Sequence, residues 1–146
     1  MGDSRQMALN RFDLLEKRLN KNPQLKVDYS EFMLEYFNLG HMSETKDDQT
    51  EGFFLPHHAV IKGDSLTTKT RIVFDGSAKS TSGLSLNDVQ FIGPTLQQDI
   101  FSILVRFRKH KYVLTGDISK MYRQILVNNK DIGFQKIFWR EQPSHN

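Results

Sequence analysis

The sequence lacks cysteine entirely, and it contains only four prolines and one tryptophan among 146 residues. Without cysteine there can be no disulfide framework, no zinc site built on thiolates and no cysteine nucleophile. No apolar run reaches the length that spans a bilayer, and the N-terminal residues lack the apolar segment of a signal peptide. These absences predict a soluble intracellular protein, cytoplasmic or nuclear, that has no membrane partner.

Charge is unevenly distributed along the chain, although the net formal charge is only +3. Residues 1–50 hold seven basic and nine acidic side chains, whereas residues 51–146 hold thirteen basic and eight acidic ones. The second part therefore carries five more basic than acidic residues. Such an excess favours a polyanionic partner, although a solvated basic face explains most single runs of positive charge.

The first 40 residues have the pattern of two helices. Apolar residues recur at helical spacing along residues 5–21, and Asn22 with Pro23 then favours a turn or a new helix start. A second apolar stripe follows and ends at Gly40, which can adopt the left-handed conformation that terminates a helix. We therefore predict a helical hairpin at the N-terminus.

From Phe53 the pattern changes to short β-prone runs separated by polar turns. Residues 58–62 and 70–74 predict an antiparallel hairpin. A helix over 95–110 with a capping box at Thr95 is predicted next, followed by a strand over 112–118 and a strand pair in 123–128 and 133–139. The expected fold class is α+β, with a helical connector over 1–50 and a second domain over 51–146.

One carboxylate, Asp117, lies at the end of the predicted strand over 112–118. Side chains alternate along a strand, so Asp117 can reach the rim of a sheet on the same side as Val113 and Thr115. Mg²⁺ prefers carboxylate and carbonyl oxygens, and Asp117 with the carbonyl of Ile118 could hold such an ion. An exposed aspartate that caps a turn is the more common explanation for one such residue.

Two cations, Lys69 and Arg71, lie two positions apart on a predicted strand and therefore share one face. Together they could neutralise a triphosphate, because arginine offers a bidentate fork and lysine a compact charge. The alternative is an exposed hairpin face without a ligand.

Four segments in this order resemble a known family: FLPHHAVIK, TRIVFDGSAKSTSGLSLND, GPTLQQDIFSILVRFR and GDISKMYRQI. The chain resembles the reverse transcriptase of Pao-type (Bel/Pao) LTR retrotransposons, and the similarity extends from about residue 18 to residue 144. It implies a right-hand polymerase fold and RNA- or DNA-templated addition of deoxynucleotides. The implied partners are an RNA or DNA primer–template, deoxynucleotides and the remainder of a polyprotein, with Mg²⁺ as cofactor.

The resemblance also implies roles for individual residues. Residues 53–74 correspond to the fingers hairpin, in which Lys69 and Arg71 grip the triphosphate. Asp117, on the first palm strand, corresponds to the first metal-binding carboxylate. Tyr122 resembles the steric gate, an aromatic side chain that excludes the 2′-hydroxyl of a ribonucleotide. A lone tyrosine is otherwise more often part of a core or an interface.

Two departures from the family pattern affect these expectations. Many reverse transcriptases have a template-contacting arginine two residues after the aspartate corresponding to Asp75, where this chain has Ser77. The paired aspartates that complete the metal site are also missing after Asp117, and the adjacent pair Asp47 and Asp48 precedes the hairpin. We therefore expect a fragment made of connector, fingers and the opening of the palm, inactive as a polymerase when alone.

Other functions are less consistent with the sequence. A ribonuclease H would need a glutamate after the IVFDGSA segment, but no glutamate occurs between Glu51 and Glu141. An aspartic protease would need Asp-Thr-Gly or Asp-Ser-Gly, and the order here is Asp-Gly-Ser. His57 and His58 are adjacent, would point to opposite strand faces and are expected to be structural or loop residues rather than metal ligands. A co-opted or degenerate remnant, at most a basic nucleic-acid-binding module, is the main alternative.

Overall fold

A computed structural model describes residues 1–45, 52–61 and 70–140, which form four α-helices and one two-stranded antiparallel sheet. The expected α+β class is therefore confirmed. The elements, in chain order, are α1 Arg5–Lys21, α2 Pro23–Asn38, β1 His57–Ile61, β2 Thr70–Phe74, α3 Leu86–Val89 and α4 Ile100–Lys109.

The two N-terminal helices form where the apolar periodicity predicts them, and local signals define the junction between them. Asn22 leaves the helical conformation, and its side-chain oxygen accepts a hydrogen bond from the Leu25 amide at 3.2 Å. Pro23 occupies the first turn of α2, where its missing N–H has no helical partner to lose. One polar residue thus ends α1 and caps α2.

Gly40 terminates α2 as predicted, with a φ of +71° in the left-handed region. Its amide donates to the Phe37 carbonyl at 2.9 Å, and the His41 amide donates to the Tyr36 carbonyl at 3.0 Å. This pair of bonds is the Schellman motif, which satisfies carbonyls at the end of a helix.

The predicted hairpin is confirmed. β1 and β2 pair in antiparallel register from His57↔Phe74 to Ile61↔Thr70, and residues 62–69 between them lie outside the described residues. Alternation places His57, Ala59, Ile72 and Phe74 on the face that packs against the helices. The opposite face carries residues 58, 60, 71 and 73.

One hydrophobic core joins α1 and α2 to the hairpin. Its buried members come from both helices and include Ala59 of β1, and partly buried residues from β2 and from residues 137–139 pack against them. Tyr29 and Met33 have no exposed surface at all. The buried helical residues of this core are Phe12, Leu15, Leu19, Leu25, Tyr29 and Met33.

The N-terminal residues form hydrogen bonds with the Ser-rich loop that follows β2. The Asp3 amide donates to the Thr81 hydroxyl at 2.8 Å, and the Thr81 amide donates to the Asp3 carbonyl at 3.0 Å. The buried hydroxyl of Ser4 accepts from the Phe54 amide at 2.8 Å. The Ser-rich segment itself is irregular, apart from the single-turn helix α3.

The predicted strand pair in 123–128 and 133–139 is wrong. The chain forms 3₁₀ turns at Met121–Gln124 and Ile132–Gln135, and only an isolated bridge links Lys136 to Phe54. The segment from Asn128 to Asp131 favours a turn, and the Asp131 amide closes one on the Asn128 carbonyl at 2.8 Å. The turn-forming residues 128–131 are therefore in a turn, and the β-prone residues on either side do not pair as strands.

The predicted strand over 112–118 is also wrong, because these residues are irregular and exposed and no described residue pairs with them. A strand needs a neighbour to receive its backbone hydrogen bonds, so β propensity alone does not form one. The predicted helix starts later than expected, at Ile100. Asp99 rather than Thr95 caps it, accepting from the Ser102 amide at 2.9 Å.

The chain divides into two compact units. The helix–hairpin unit comprises Met1–Val89 and Val127–Asn146, and the inserted unit comprises Gln90–Leu126. The boundary predicted near residue 50 lies outside the described residues. Across the described ranges, no helix combines the length and the apolar character that crossing a membrane requires.

Candidate functional site

Arg71 lies on the solvent face of the hairpin. It pairs with Val60 across the sheet, and its neighbours Ile72 and Phe74 turn inward to the core. Because side chains alternate along β2, packing of Ile72 and Phe74 forces Arg71 outward, where its side chain is exposed. Lys69, its predicted partner on this face, lies outside the described residues.

The strand that carries Arg71 ends in a hydrogen-bonded turn at Asp75. The Ser77 hydroxyl and amide donate to Asp75 Oδ1 at 2.6 and 3.1 Å, and Arg11 donates to Oδ2 at 2.8 Å. The Ser77 hydroxyl holds the pKa of Asp75 below its usual value against the opposing effect of partial burial, and Arg11 lowers it further. The Ser77 side chain is therefore turned toward Asp75. Ser77 occupies the position at which many reverse transcriptases have a template-contacting arginine.

Asp117 and Ile118 lie in the inserted unit, on irregular backbone just before a tight turn. Both are exposed, and Lys120 in that turn has a left-handed φ of 55°. The Arg123 amide closes the turn on the Lys120 carbonyl at 2.8 Å. Asp117 is thus accessible to a ligand, but no strand end supports it as the sequence predicted.

Tyr122 lies on the 3₁₀ turn Met121–Gln124, five positions after Asp117, and 83% of its surface is exposed. A tyrosine in the core would be buried, so the core alternative does not describe this residue. Tyr122 belongs to the same unit as Asp117 and Ile118. Arg71 belongs to the helix–hairpin unit.

The described residues do not by themselves fit the pair of Mg²⁺ ions that the resemblance implies. No three His, Asp or Glu side chains within 1–45, 52–61 and 70–140 are grouped so as to hold a metal ion. The inserted unit contains two carboxylates, and Asp99 is engaged by Ser102 at the start of α4. Asp117 is left as a single ligand, whereas a two-ion centre needs several.

Positive charge is concentrated in the inserted unit. Its 37 residues contain six basic and two acidic side chains, whereas the other 109 residues contain fourteen basic and fifteen acidic ones. Residues 51–146 as a whole carry an excess of basic side chains, and most of that excess lies in residues 90–126. This unit is the part of the chain best suited to attract a polyanion.

His57 is a structural residue, as predicted. Its Nε2 lies 2.7 Å from the Phe138 carbonyl oxygen, and its Nδ1 is hydrogen-bonded to the Tyr29 hydroxyl. The carbonyl can only accept, so Nε2 carries the proton and Nδ1 accepts from Tyr29. Burial lowers the pKa of His57, and the hydrogen bond to the Phe138 carbonyl opposes this shift without cancelling it.

Sequence reasoning missed the bond between Tyr29 and His57, because 28 positions separate these residues and no local pattern links them. It also missed the ion pair of Arg140 with Glu16, in which Arg140 Nε donates to Oε1 at 2.7 Å. The turn at Asp75 could have been found, because Asp-x-Ser is a recurrent side-chain-to-backbone turn pattern.

We compared the chain with protein families, with characterised proteins and with solved structures, and none of the three comparisons found a match.

Proposed function

We propose that this chain contributes the fingers hairpin and the first palm segment of an RNA-directed DNA polymerase of the Pao-like retrotransposon type. The four ordered sequence segments carry the resemblance, and the hairpin His57–Ile61 with Thr70–Phe74 is the observation that supports it best. The hairpin forms at the predicted place and directs Arg71 to solvent.

The division of the chain is a second support. The hairpin and the Asp117 segment belong to different units, in keeping with a polymerase whose fingers and palm are separate parts. Within the inserted unit, Asp117, Ile118 and Tyr122 are all exposed, so a primer–template or a nucleotide can reach them.

The roles of the residues follow from their chemistry. Arg71 and Lys69 would bind triphosphate oxygens, the arginine in bidentate fashion. Tyr122 would lie under the sugar of a deoxynucleotide, and Asp117 with the Ile118 carbonyl would offer oxygen ligands to a cation. Since these residues provide one carboxylate, we expect no nucleotide addition by the 146 residues alone.

Nucleotide binding by the hairpin tests this proposal. The double variant Lys69→Ala/Arg71→Ala is expected to bind a fluorescent deoxynucleoside triphosphate at least about tenfold more weakly at 50 mM salt, because each charge-assisted bond contributes roughly 1.5–3 kcal/mol. The variant Lys17→Ala/Arg18→Ala removes the same two residue types from the exposed side of α1 and serves as the control. Equal binding by wild type and hairpin variant would contradict the proposal.

A non-catalytic nucleic-acid-binding module is the second candidate function. The excess of basic residues in the inserted unit favours binding of a polyanion, and its single free-standing carboxylate, Asp117, provides too few ligands for a two-ion catalytic centre. Primer extension separates the two candidates from an active enzyme. We expect none above background from the purified chain; extension that disappears in Asp117→Ala would show that the chain is active alone.

A further inference from the structure

A dense run of cations lies where α4 ends. Arg106, Arg108 and Lys109 occupy the last turn of the helix, and His110 and Lys111 follow as the chain becomes extended. Every one of these side chains is exposed, as is Tyr112 with 81% of its surface. We call residues 106–112 the basic tract.

The basic tract has no ion-pair partner among the residues that the structure describes. In the parts of the chain that are described, no carboxylate forms an ion pair with Arg106, Arg108, Lys109 or Lys111. Asp99 lies at the opposite end of α4, about 15 Å from Lys109 at the helical rise per residue. That separation exceeds the Debye length of about 8–10 Å at moderate ionic strength, so Asp99 does little to offset the charge.

The helix dipole does not account for the whole tract. It places about half a negative charge at the C-terminus of α4, which favours one or two cations there. The last turn holds three cations, and Lys111 adds a fourth, so their positive charge exceeds the partial negative charge of the helix end. Arg106 also repels Lys109 across one helical turn. An arrangement that opposes folding to this extent is consistent with a bound polyanion that offsets the repulsion.

An exposed aromatic ring adjoins these charges. Tyr112 follows Lys111 directly, and Lys111 Nζ lies 5.5 Å from the centre of its ring. Cations that track a phosphate backbone, next to an aromatic ring on which a base can stack, are the recurring components of single-stranded nucleic-acid sites.

We propose that the basic tract is a sequence-independent binding surface for single-stranded nucleic acid, in which Arg106, Arg108, Lys109 and Lys111 contact phosphates and Tyr112 stacks on a base. This proposal rests on the proposed function in one respect only, the choice of a nucleic acid as the polyanion. It uses none of the residues assigned to nucleotide binding, so either assignment can fail without the other.

An anionic membrane is the main competing partner, because α4 also exposes apolar side chains such as Ile100, Phe101 and Leu104. The ten residues of α4 form a short helix for interfacial binding. The four cations of the tract, Arg106, Arg108, Lys109 and Lys111, fall within six consecutive positions at its C-terminal end. The charge is thus concentrated beside Tyr112 rather than spread along the polar face. This arrangement favours a nucleic acid.

The salt dependence of binding to a fluorescein-labelled 16-nucleotide oligo(dT) tests the proposal on the full 146-residue chain. Each phosphate contact contributes about −0.7 to the slope of log affinity against log salt for single strands. Four contacts give a slope of about −2.8, equivalent to about a 50-fold loss of affinity between 50 and 200 mM salt. The variant R106Q/R108Q/K109Q/K111Q should lose this component and bind more weakly at 50 mM salt.

A charge-matched control separates local contacts from net charge. The variant K17Q/R18Q/K21Q/K130Q removes four exposed cations from the helix–hairpin unit and gives the same net charge. It should keep a slope within about one unit of wild type. Tyr112→Ala should weaken binding by roughly 5- to 150-fold without changing the slope, whereas Tyr112→Phe should bind like wild type.

Three results would overturn the proposal. The first is an equal loss of slope in the tract variant and the charge-matched control. The second is tract-dependent binding to vesicles of phosphatidylcholine and phosphatidylserine without tract-dependent binding to the oligonucleotide. The third guards against a misfolded variant: ultraviolet crosslinking of oligo(dT) to the wild-type chain should label peptides containing residues 106–112, and labelling confined to the helix–hairpin unit would contradict the proposal.

Discussion

Replacing Tyr29 by phenylalanine removes a single hydroxyl from the core of the helix–hairpin unit and leaves the ring in place. That hydroxyl donates to Nδ1 of His57, while Nε2 of the same imidazole donates to the Phe138 carbonyl at 2.7 Å. The imidazole therefore connects α2, β1 and the segment that returns from the inserted unit. In Tyr29→Phe, Nδ1 keeps its burial but loses its donor.

The expected cost follows from that burial. Tyr29 has no exposed surface and His57 retains only 5%, so water cannot replace the missing hydroxyl without opening the core. A buried acceptor without a partner costs about 1–3 kcal/mol, and loss of the hydroxyl itself leaves little empty volume. We expect the free energy of unfolding to fall by about 2 kcal/mol. With a typical urea dependence of 1–3 kcal/mol per molar, the midpoint would shift by about 1 M.

Fluorescence of Trp139, the single tryptophan, can report this unfolding directly. Its ring stacks on Tyr29 with centroids 5.4 Å apart, so it belongs to the same core. Tyr112→Phe removes an exposed hydroxyl and is the matched control, with an expected change below about 0.5 kcal/mol. If Tyr29→Phe and Tyr112→Phe unfolded at the same urea concentration, the hydrogen-bonded role assigned to His57 would be refuted.

Three further predictions follow from other contacts. Burial lowers the pKa of His57, so as pH falls the imidazole is protonated in the unfolded chain before it is protonated in the folded one. The free energy of unfolding should therefore be constant above about pH 7 and fall below about pH 6.5, by up to about 1.4 kcal/mol per pH unit. The urea midpoint of His57→Gln should depend less on pH. Gly52→Ala should destabilise by about 1–3 kcal/mol in thermal unfolding, because its Cβ would lie 2.1 Å from the Gly133 carbonyl oxygen, whereas Gly93→Ala has open space and should be neutral. Asp99→Ala should lower far-ultraviolet helicity by removing the cap of α4, at about 0.5–2 kcal/mol, while Asp99→Asn should retain it; equal helicity in both variants would contradict the capping role.

The sequence predicts those elements whose signals are local. The ends of α1 and α2 depend on Asn22, Pro23 and Gly40, whose capping properties act within a few residues. The hairpin follows from alternation that places Ile72 and Phe74 on one face. The outward direction of Arg71 could therefore be predicted without coordinates.

The failures concern structure that depends on distant partners. Residues 112–118 have high β propensity but acquire no neighbouring strand in the described chain, so they do not become one. The bond between Tyr29 and His57 joins residues that are far apart in sequence, and only the folded core brings them together. For the candidate site, exposure of Asp117 and Tyr122 agrees with a ligand-binding role, and the roles proposed for Lys69 and Arg71 stay predictions.

Titration of the isotope-labelled chain with dTTP, followed by amide chemical shifts, tests the central claim most directly. If the residues proposed to bind nucleotide do so, the amides of Lys69, Arg71, Asp117 and Tyr122 should each shift in a saturable way as dTTP is added. Shifts confined to other parts of the chain, or no saturable shift at these four amides, would contradict the proposed polymerase assignment.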